Sequence, residues 1–248
     1  MYKRDVIHSQ KELNIISKTN KEIVTKAKYG PSKLTKIPLN LSRELVFLVG
    51  AIIGDGHLKK DKFQISIELS NYKLIRNIQQ ICKSLFNREF NINKVKKREN
   101  KKQTFSLLMD SKSIYRLFEK VFEIPNGKKS NIVWVPFNIK KANKKIKIAF
   151  LKGIMETEGG KRRRGFGLST ASKRLWKDLI LIFEDVGIPV LKDRWVYKNK
   201  KEYYGIVFKS KYMPIIDAGM PEWSNGLDLG SSSLVLAQVQ ILFSAFAD

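Results

Sequence analysis

Two acidic residues stand at matching points of a repeated segment. Leu48-Val49-Gly50-Ala51-Ile52-Ile53-Gly54-Asp55-Gly56 recurs as Leu151-Lys152-Gly153-Ile154-Met155-Glu156-Thr157-Glu158-Gly159, which sets Asp55 and Glu158 at the same step of each copy, 103 residues apart. Carboxylates held about 4 Å apart repel by about 4 kcal/mol at an effective dielectric near 20, and negative helix ends add to that potential. Divalent cations remove the conflict. Hard oxygen ligands suit Mg²⁺, which keeps several waters and accepts phosphate oxygens; an activated water then attacks one phosphate while a cation stabilises the leaving oxygen. The chemistry indicated is phosphodiester hydrolysis without a covalent enzyme intermediate.

A single copy of such a segment would read as a helix C-cap glycine after a surface acid. Duplication makes the pattern specific. Gly50 and Gly54, and Gly153 and Thr157, lie four apart, so each helix presents a small-residue stripe that permits close backbone approach. Packed through those stripes, the two helices bring Asp55 and Glu158 out side by side at their C-terminal ends. Glu156 is not counted with them, because its counterpart is Ile53 and two residues along a helix is another face. Other devices are excluded: with Cys82 alone and only His8 and His57, the chain has no intramolecular disulfide, zinc cluster or Ser-His-Asp triad.

The elements that must position these acids follow from periodicity. Ser42 caps a helix that is apolar on every side from Leu45 to Ile53, which places it at an interface. The second copy starts near Asn143 and carries Ile146, Ala149, Phe150, Gly153, Ile154 and Thr157 in helical rhythm. Phe63 to Leu69 alternates as a half-buried strand, and strands are also predicted near Ile92 to Arg98 and Thr104 to Met109, then Val190 to Lys198 and Tyr203 to Phe208. The helical pattern from Leu74 to Leu85 has its counterpart from Leu175 to Val186. The chain reads as an internal duplication with residues 41–140 and 141–221 as its repeats. Between them Ile124-Pro125-Asn126-Gly127-Lys128-Lys129 forms a turn, and Trp134 is a packing residue. Residues 1–40 form a basic extension, with a helix predicted over 9–28 from Ser9 and Glu12 in capping-box spacing and an apolar stripe of Leu13, Ile16, Ile23 and Ala27. Residues 222–248 form a non-basic tail containing an apolar stretch from Leu234 to Ala247.

Composition names the class of partner. The 248 residues include 48 Lys and Arg against 23 Asp and Glu, a net charge of +25, and 43% apolar side chains. Such a chain folds around a core and seeks a polyanion, with nucleic acid first. No Lys or Arg follows Lys211, so the tail is kept away from phosphate. No apolar run reaches bilayer length and the N-terminus has no signal-peptide pattern, so no membrane partner is expected and a soluble, intracellular protein is, in a prokaryotic cytoplasm or an organelle interior.

Both repeated segments resemble the signature helix of the LAGLIDADG homing endonucleases, in the single-chain form with two motifs, and the resemblance runs from about residue 41 to 217. It implies an α+β fold, a pseudo-twofold saddle of two αββαββα repeats with antiparallel DNA-binding sheets. It also implies a monomer making a staggered double-strand break in a long, non-palindromic duplex, for intron homing. Asp55 and Glu158 would hold Mg²⁺, or Mn²⁺ or Ca²⁺ at the same site, with Gly54 and Thr157 completing the metal site. Lys161, three residues past Glu158, would stabilise charge developing on phosphorus; its counterpart is Leu58, with Lys59 and Lys60 beside it. His57 reads as a proton shuttle, a phosphate contact or a surface residue.

DNA contacts implied by the resemblance are Lys60, Lys62, Gln64, Ser66, Glu68, Lys94, Lys96 and Arg98 in the first repeat. In the second they are Arg162, Arg164, Ser169, Lys192, Arg194, Lys198 and Tyr203. Family members often carry Gln or Lys late in the first strand to organise water, whereas this chain has Glu68-Leu69 and Thr170-Ala171. Two other readings share the same fold: an intron RNA maturase, and a protein that only binds nucleic acid. Retention of both acids argues against the second.

Overall fold

The computed structural model describes residues 13–27, 33–96, 102–197 and 201–219. Three strands come first: β1 (Leu13–Lys18), β2 (Glu22–Ala27) and β3 (Thr35–Pro38). The first repeat follows as α1 (Arg43–Asp55), β4 (Gly56–Lys59), β5 (Gln64–Leu69), α2 (Tyr72–Phe86), β6 (Asn91–Lys94), β7 (Phe105–Asp110) and α3 (Lys112–Arg116), which runs into a π-helical turn. After the short α4 (Phe137–Lys140), the second repeat is α5 (Lys144–Glu158), β8 (Gly160–Arg162), β9 (Gly165–Thr170), α6 (Lys173–Asp185), β10 (Leu191–Val196), β11 (Glu202–Phe208) and α7 (Met213–Asp217). Both repeats are thus αββαββα. Their sheets have the same antiparallel strand order, β4-β5-β7-β6 in one and β8-β9-β11-β10 in the other. The fold is α+β.

The described chain forms two compact units that cut across the sequence repeats. One holds residues 13–41 and 58–123, the other 42–57 and 124–219. In the first unit, Ile65 and Ile67 of β5 and Leu107 and Met109 of β7 are fully buried on the sheet face that takes Leu74, Ile75, Ile78 and Cys82 of α2. Strand alternation sends Gln64, Ser66 and Glu68 to the other face. Asn71 caps α2 by accepting from the Leu74 N–H at 3.1 Å, and Asn87 closes it in the left-handed conformation at φ 51°.

The helix predicted over residues 9–28 is replaced by strands. Ser9 and Glu12 lie outside the described residues, and residues 13–27 form the β1–β2 hairpin, which pairs onto β3. β-branched Ile15, Ile16, Ile23, Val24 and Thr25 favour the pleated conformation, and Thr19 makes the turn: its Oγ1 accepts from the N–H groups of Lys21 and Glu22, both at 3.1 Å. Ile16, assigned to the buried stripe of the helix, is 55% exposed. Within the same unit Thr25 Oγ1 donates to Ser113 Oγ at 2.7 Å, which ties β2 to α3.

The second unit is built around α1 and α5. Ser42 Oγ accepts from the Leu45 N–H and Asn143 Oδ1 from the Ile146 N–H, each at 3.1 Å, so both helices start from side-chain caps. Their contact leaves no room for side chains at the crossing. A Cβ on Gly50 would meet the Phe150 carbonyl at 2.5 Å, and one on Gly153 would meet the Phe47 carbonyl at 2.1 Å. One turn further on, a Cβ on Gly54 would meet Thr157 Oγ1 at 2.1 Å and Glu158 Cγ at 3.1 Å.

Two measurements test this packing. Gly153→Ala is expected to lower unfolding free energy by about 3 kcal/mol through overpacking against backbone that cannot yield, whereas Gly160→Ala, with nothing within 4 Å of its Cβ position, should change it by less than about 0.5 kcal/mol; denaturant titration reads both. Burial raises the Cys82 thiol pKa, and the side chain is fully buried, so a thiol reagent should leave the native chain unlabelled and modify one cysteine after denaturation.

Candidate active site

The two signature helices end alike. Gly56 and Gly159 both sit at φ −78°, ψ 159°, and their N–H groups donate back to the Ile52 and Met155 carbonyls. Glycine is required there by proximity: a Cβ on Gly56 would lie 2.7 Å from the Ile52 carbonyl oxygen, and one on Gly159 would lie 2.3 Å from that of Met155. Identical exits aim the residue before each glycine the same way, so Asp55 and Glu158 both emerge exposed at the ends of helices that touch at Gly54 and Thr157. Thr157 Oγ1 donates within its own helix, to Gly153 O at 3.3 Å or Ile154 O at 3.2 Å. Glu156 is drawn aside, in an ion pair with Lys152 at 2.6 Å.

The ammonium group placed against these helix ends belongs to Lys129. Its Nζ donates to the Gly54 carbonyl at 2.7 Å. Burial pulls its pKa below the ordinary lysine value, while the charges of Glu158 and Asp55 draw it back up. The strap from residue 124 to 136 that delivers it is fixed. Ser172, the cap of α6, accepts from the Leu175 N–H at 3.1 Å and donates to the Val133 carbonyl at 2.6 Å. Asp178 accepts the Val135 N–H at 3.1 Å and pairs with Lys140 at 3.2 Å. Trp134 packs under the Arg174 guanidinium, 4.2 Å from the ring centroid.

Lys161, the basic residue singled out from the sequence, is exposed on β8 opposite Phe166. His57 is exposed on β4. Lys129 was missed because its partner lies 75 residues away and no local pattern marks it. A cleft of about 270 Å³ adjoins the site, bordered by Gly54, Lys129, Glu158, Ser169, Thr170 and Tyr203.

The open faces of the sheets carry only part of the contact set read from the sequence. In the first unit Gln64, Ser66 and Glu68 share a face with Asn91 and Asn93, which stand opposite Leu108 and Ser106. Lys94, opposite Phe105, is exposed on the other face, which it shares with half-buried Ile92. Lys96 is exposed just beyond that strand, and Lys60 and Lys62 are exposed in the β4–β5 turn. In the second unit Arg162 donates to Ser169 Oγ at 3.3 Å across the open face, and Arg164 is exposed in the adjoining turn.

On β10, Asp193 and Trp195 stand opposite Gly205 and Tyr203 on that open face, and the rings of Trp195 and Tyr203 stack 6.1 Å apart. Lys192 and Arg194, opposite Ile206 and Tyr204, alternate onto the α6 side of the sheet, both exposed. There Lys192 pairs with Glu184 at 3.5 Å and Arg194 with Glu202, although Lys192 still borders a cleft of about 560 Å³ lined by Arg162, Ser169 and Trp195. Arg98, Lys198 and the tail beyond 219 lie outside the described residues. Among those described, no helix is long and apolar enough to cross a membrane.

Residues 42–121 match the family described as LAGLIDADG-like domain. A replication factor C small subunit from Methanocaldococcus jannaschii is 29% identical over 170 residues, which is 68% of this chain but only 9% of that protein's length. Two crystal structures of the homing endonuclease I-DmoI, in complex with DNA and Mn and with DNA and Ca, superpose with TM-scores of 0.52 and 0.53 at 20% and 19% identity. They match 76% and 81% of this chain and 100% and 99% of their own. Residues 42–121 are thus similar to a LAGLIDADG-like domain, and the chain has the α+β LAGLIDADG fold.

Proposed function

We propose that the protein is a site-specific DNA endonuclease that makes a staggered double-strand break in a long asymmetric target, in the service of intron homing. The observation that carries this reading is the convergence of Asp55 and Glu158 at the ends of two helices in backbone contact. No group of three or more His, Cys, Asp or Glu gathers among the described residues. Two carboxylates with the carbonyls of Gly54 and Thr157 suit a hard cation that keeps waters and takes phosphate oxygens, as Mg²⁺ does and as Mn²⁺ or Ca²⁺ can. That Gly54 O already attracts an ammonium supports the same preference. When bound, such a cation supplies Lewis acidity and lowers the pKa of a water.

The chain's own residues do the rest. Tight packing of α1 on α5 holds the acids in register with each other, and the Lys129 ammonium lends positive potential to the same place. Open sheet faces with Gln64, Ser66, Asn91 and Asn93, and with Arg162 and Ser169, offer hydrogen bonds suited to base edges, while exposed Lys60, Lys62 and Arg164 suit phosphates. I-DmoI, which shares the fold, was crystallised with DNA and Mn or Ca, in keeping with duplex DNA and a divalent ion here. Lys161 is retained as a candidate for charge stabilisation once phosphate is present. One observation favours a second reading, an intron RNA partner: Tyr197 is 58% exposed beside the Trp195–Tyr203 stack, and such rings stack on unpaired bases.

Asp55→Asn and Glu158→Gln should each abolish Mg²⁺-dependent duplex cleavage while DNA affinity stays within a few-fold; cutting by the double variant would refute the assignment. Selection of cleaved molecules from a randomised duplex library would give the target, and tight RNA binding without any duplex cut would favour the RNA reading. Affinity for duplex should fall with salt with an exponent of about −7, for about 8 phosphate contacts.

A further inference from the structure

Lys129 is held at the end of α1, beside the two acids. Its Nζ sits 2.7 Å from Gly54 O, a carbonyl in the last turn of α1 that has no partner within its own helix ladder, and the charges of both Glu158 and Asp55 act on it. The strap cannot slide away, because Val133 and Val135 on it are tied to Ser172 and Asp178 of α6. A lysine on an unconstrained surface loop would keep its hydration instead.

We propose that Lys129 is a positioning residue acting as a built-in cation. It occupies the Gly54 carbonyl and screens the two acids from each other, and a divalent ion that uses this carbonyl must displace it. Metal affinity is held down by the competing charge. This inference rests on reading Asp55 and Glu158 as metal ligands.

The test is calorimetric titration of the whole chain with Mn²⁺, without DNA, for the wild type, Lys129→Met, Lys129→Gln, Asp55→Asn and the Asp55→Asn/Lys129→Met double variant. Removing one unit charge within a few ångströms of a dication should tighten Mn²⁺ binding by about tenfold or more in Lys129→Met and Lys129→Gln. The gain should shrink when Asp55 is also replaced. A lysine with only a structural role would change the melting temperature and leave Mn²⁺ affinity where it was. Unchanged affinity in either folded variant overturns the role of Lys129 alone; Mn²⁺ binding that Asp55→Asn leaves intact overturns the metal-site reading, and this inference with it.

Discussion

No side chain fits where the two signature helices cross, and the site depends on that constraint. With the carbonyls of Phe47 and Phe150 lying where Cβ atoms of Gly153 and Gly50 would stand, the backbones meet directly and the helices have one register. Longer residues at these positions would separate the helices and allow them to slide. The constraint extends to the ends, where Gly54 meets Thr157 and twin glycine exits at Gly56 and Gly159 turn each chain into a strand. Two like charges are in this way brought to the ends of touching helices, where the Lys129 ammonium offsets their repulsion.

The second unit holds the residues of the candidate site. It contains both acids, the strap that brings Lys129, and the sheet whose open face holds Arg162 and Ser169. Grouping α1 with the second repeat follows from the same close packing. Lysines and arginines stand in turns such as the one carrying Lys60 and Lys62 and the one carrying Arg163 and Arg164, while the open strands add Gln64, Ser66, Asn93 and Ser169 beside the charged Glu68, Arg162 and Asp193. Turn charges suit phosphate and strand amides suit base edges, so affinity and readout would draw on different residues.

Much of this was legible in the sequence, because duplication doubles every signal. The 103-residue offset marked both acids, both glycine exits and the paired small residues, and caps at Ser42 and Asn143 set the helix starts. What stayed hidden has local physical causes. In residues 13–27, apolar side chains satisfy both a helical and an alternating pattern, and β-branching with the Thr19 turn decided for strands. On β6 and β10 the sequence marks the basic residues, whereas the face each takes follows from strand pairing, Ile92 opposite Leu107 and Lys192 opposite Ile206. Lys129 reaches the site only through tertiary structure, from a turn that reads as a simple linker.

The central claim is that Asp55 and Glu158 act as one cation-binding unit. Anomalous scattering from crystals of the protein grown with target-length duplex and Mn²⁺ tests it most directly. The account predicts a Mn peak within coordination distance of both carboxylates, next to the Gly54 carbonyl. A structure with the acids apart, or with Mn bound only elsewhere, would contradict it.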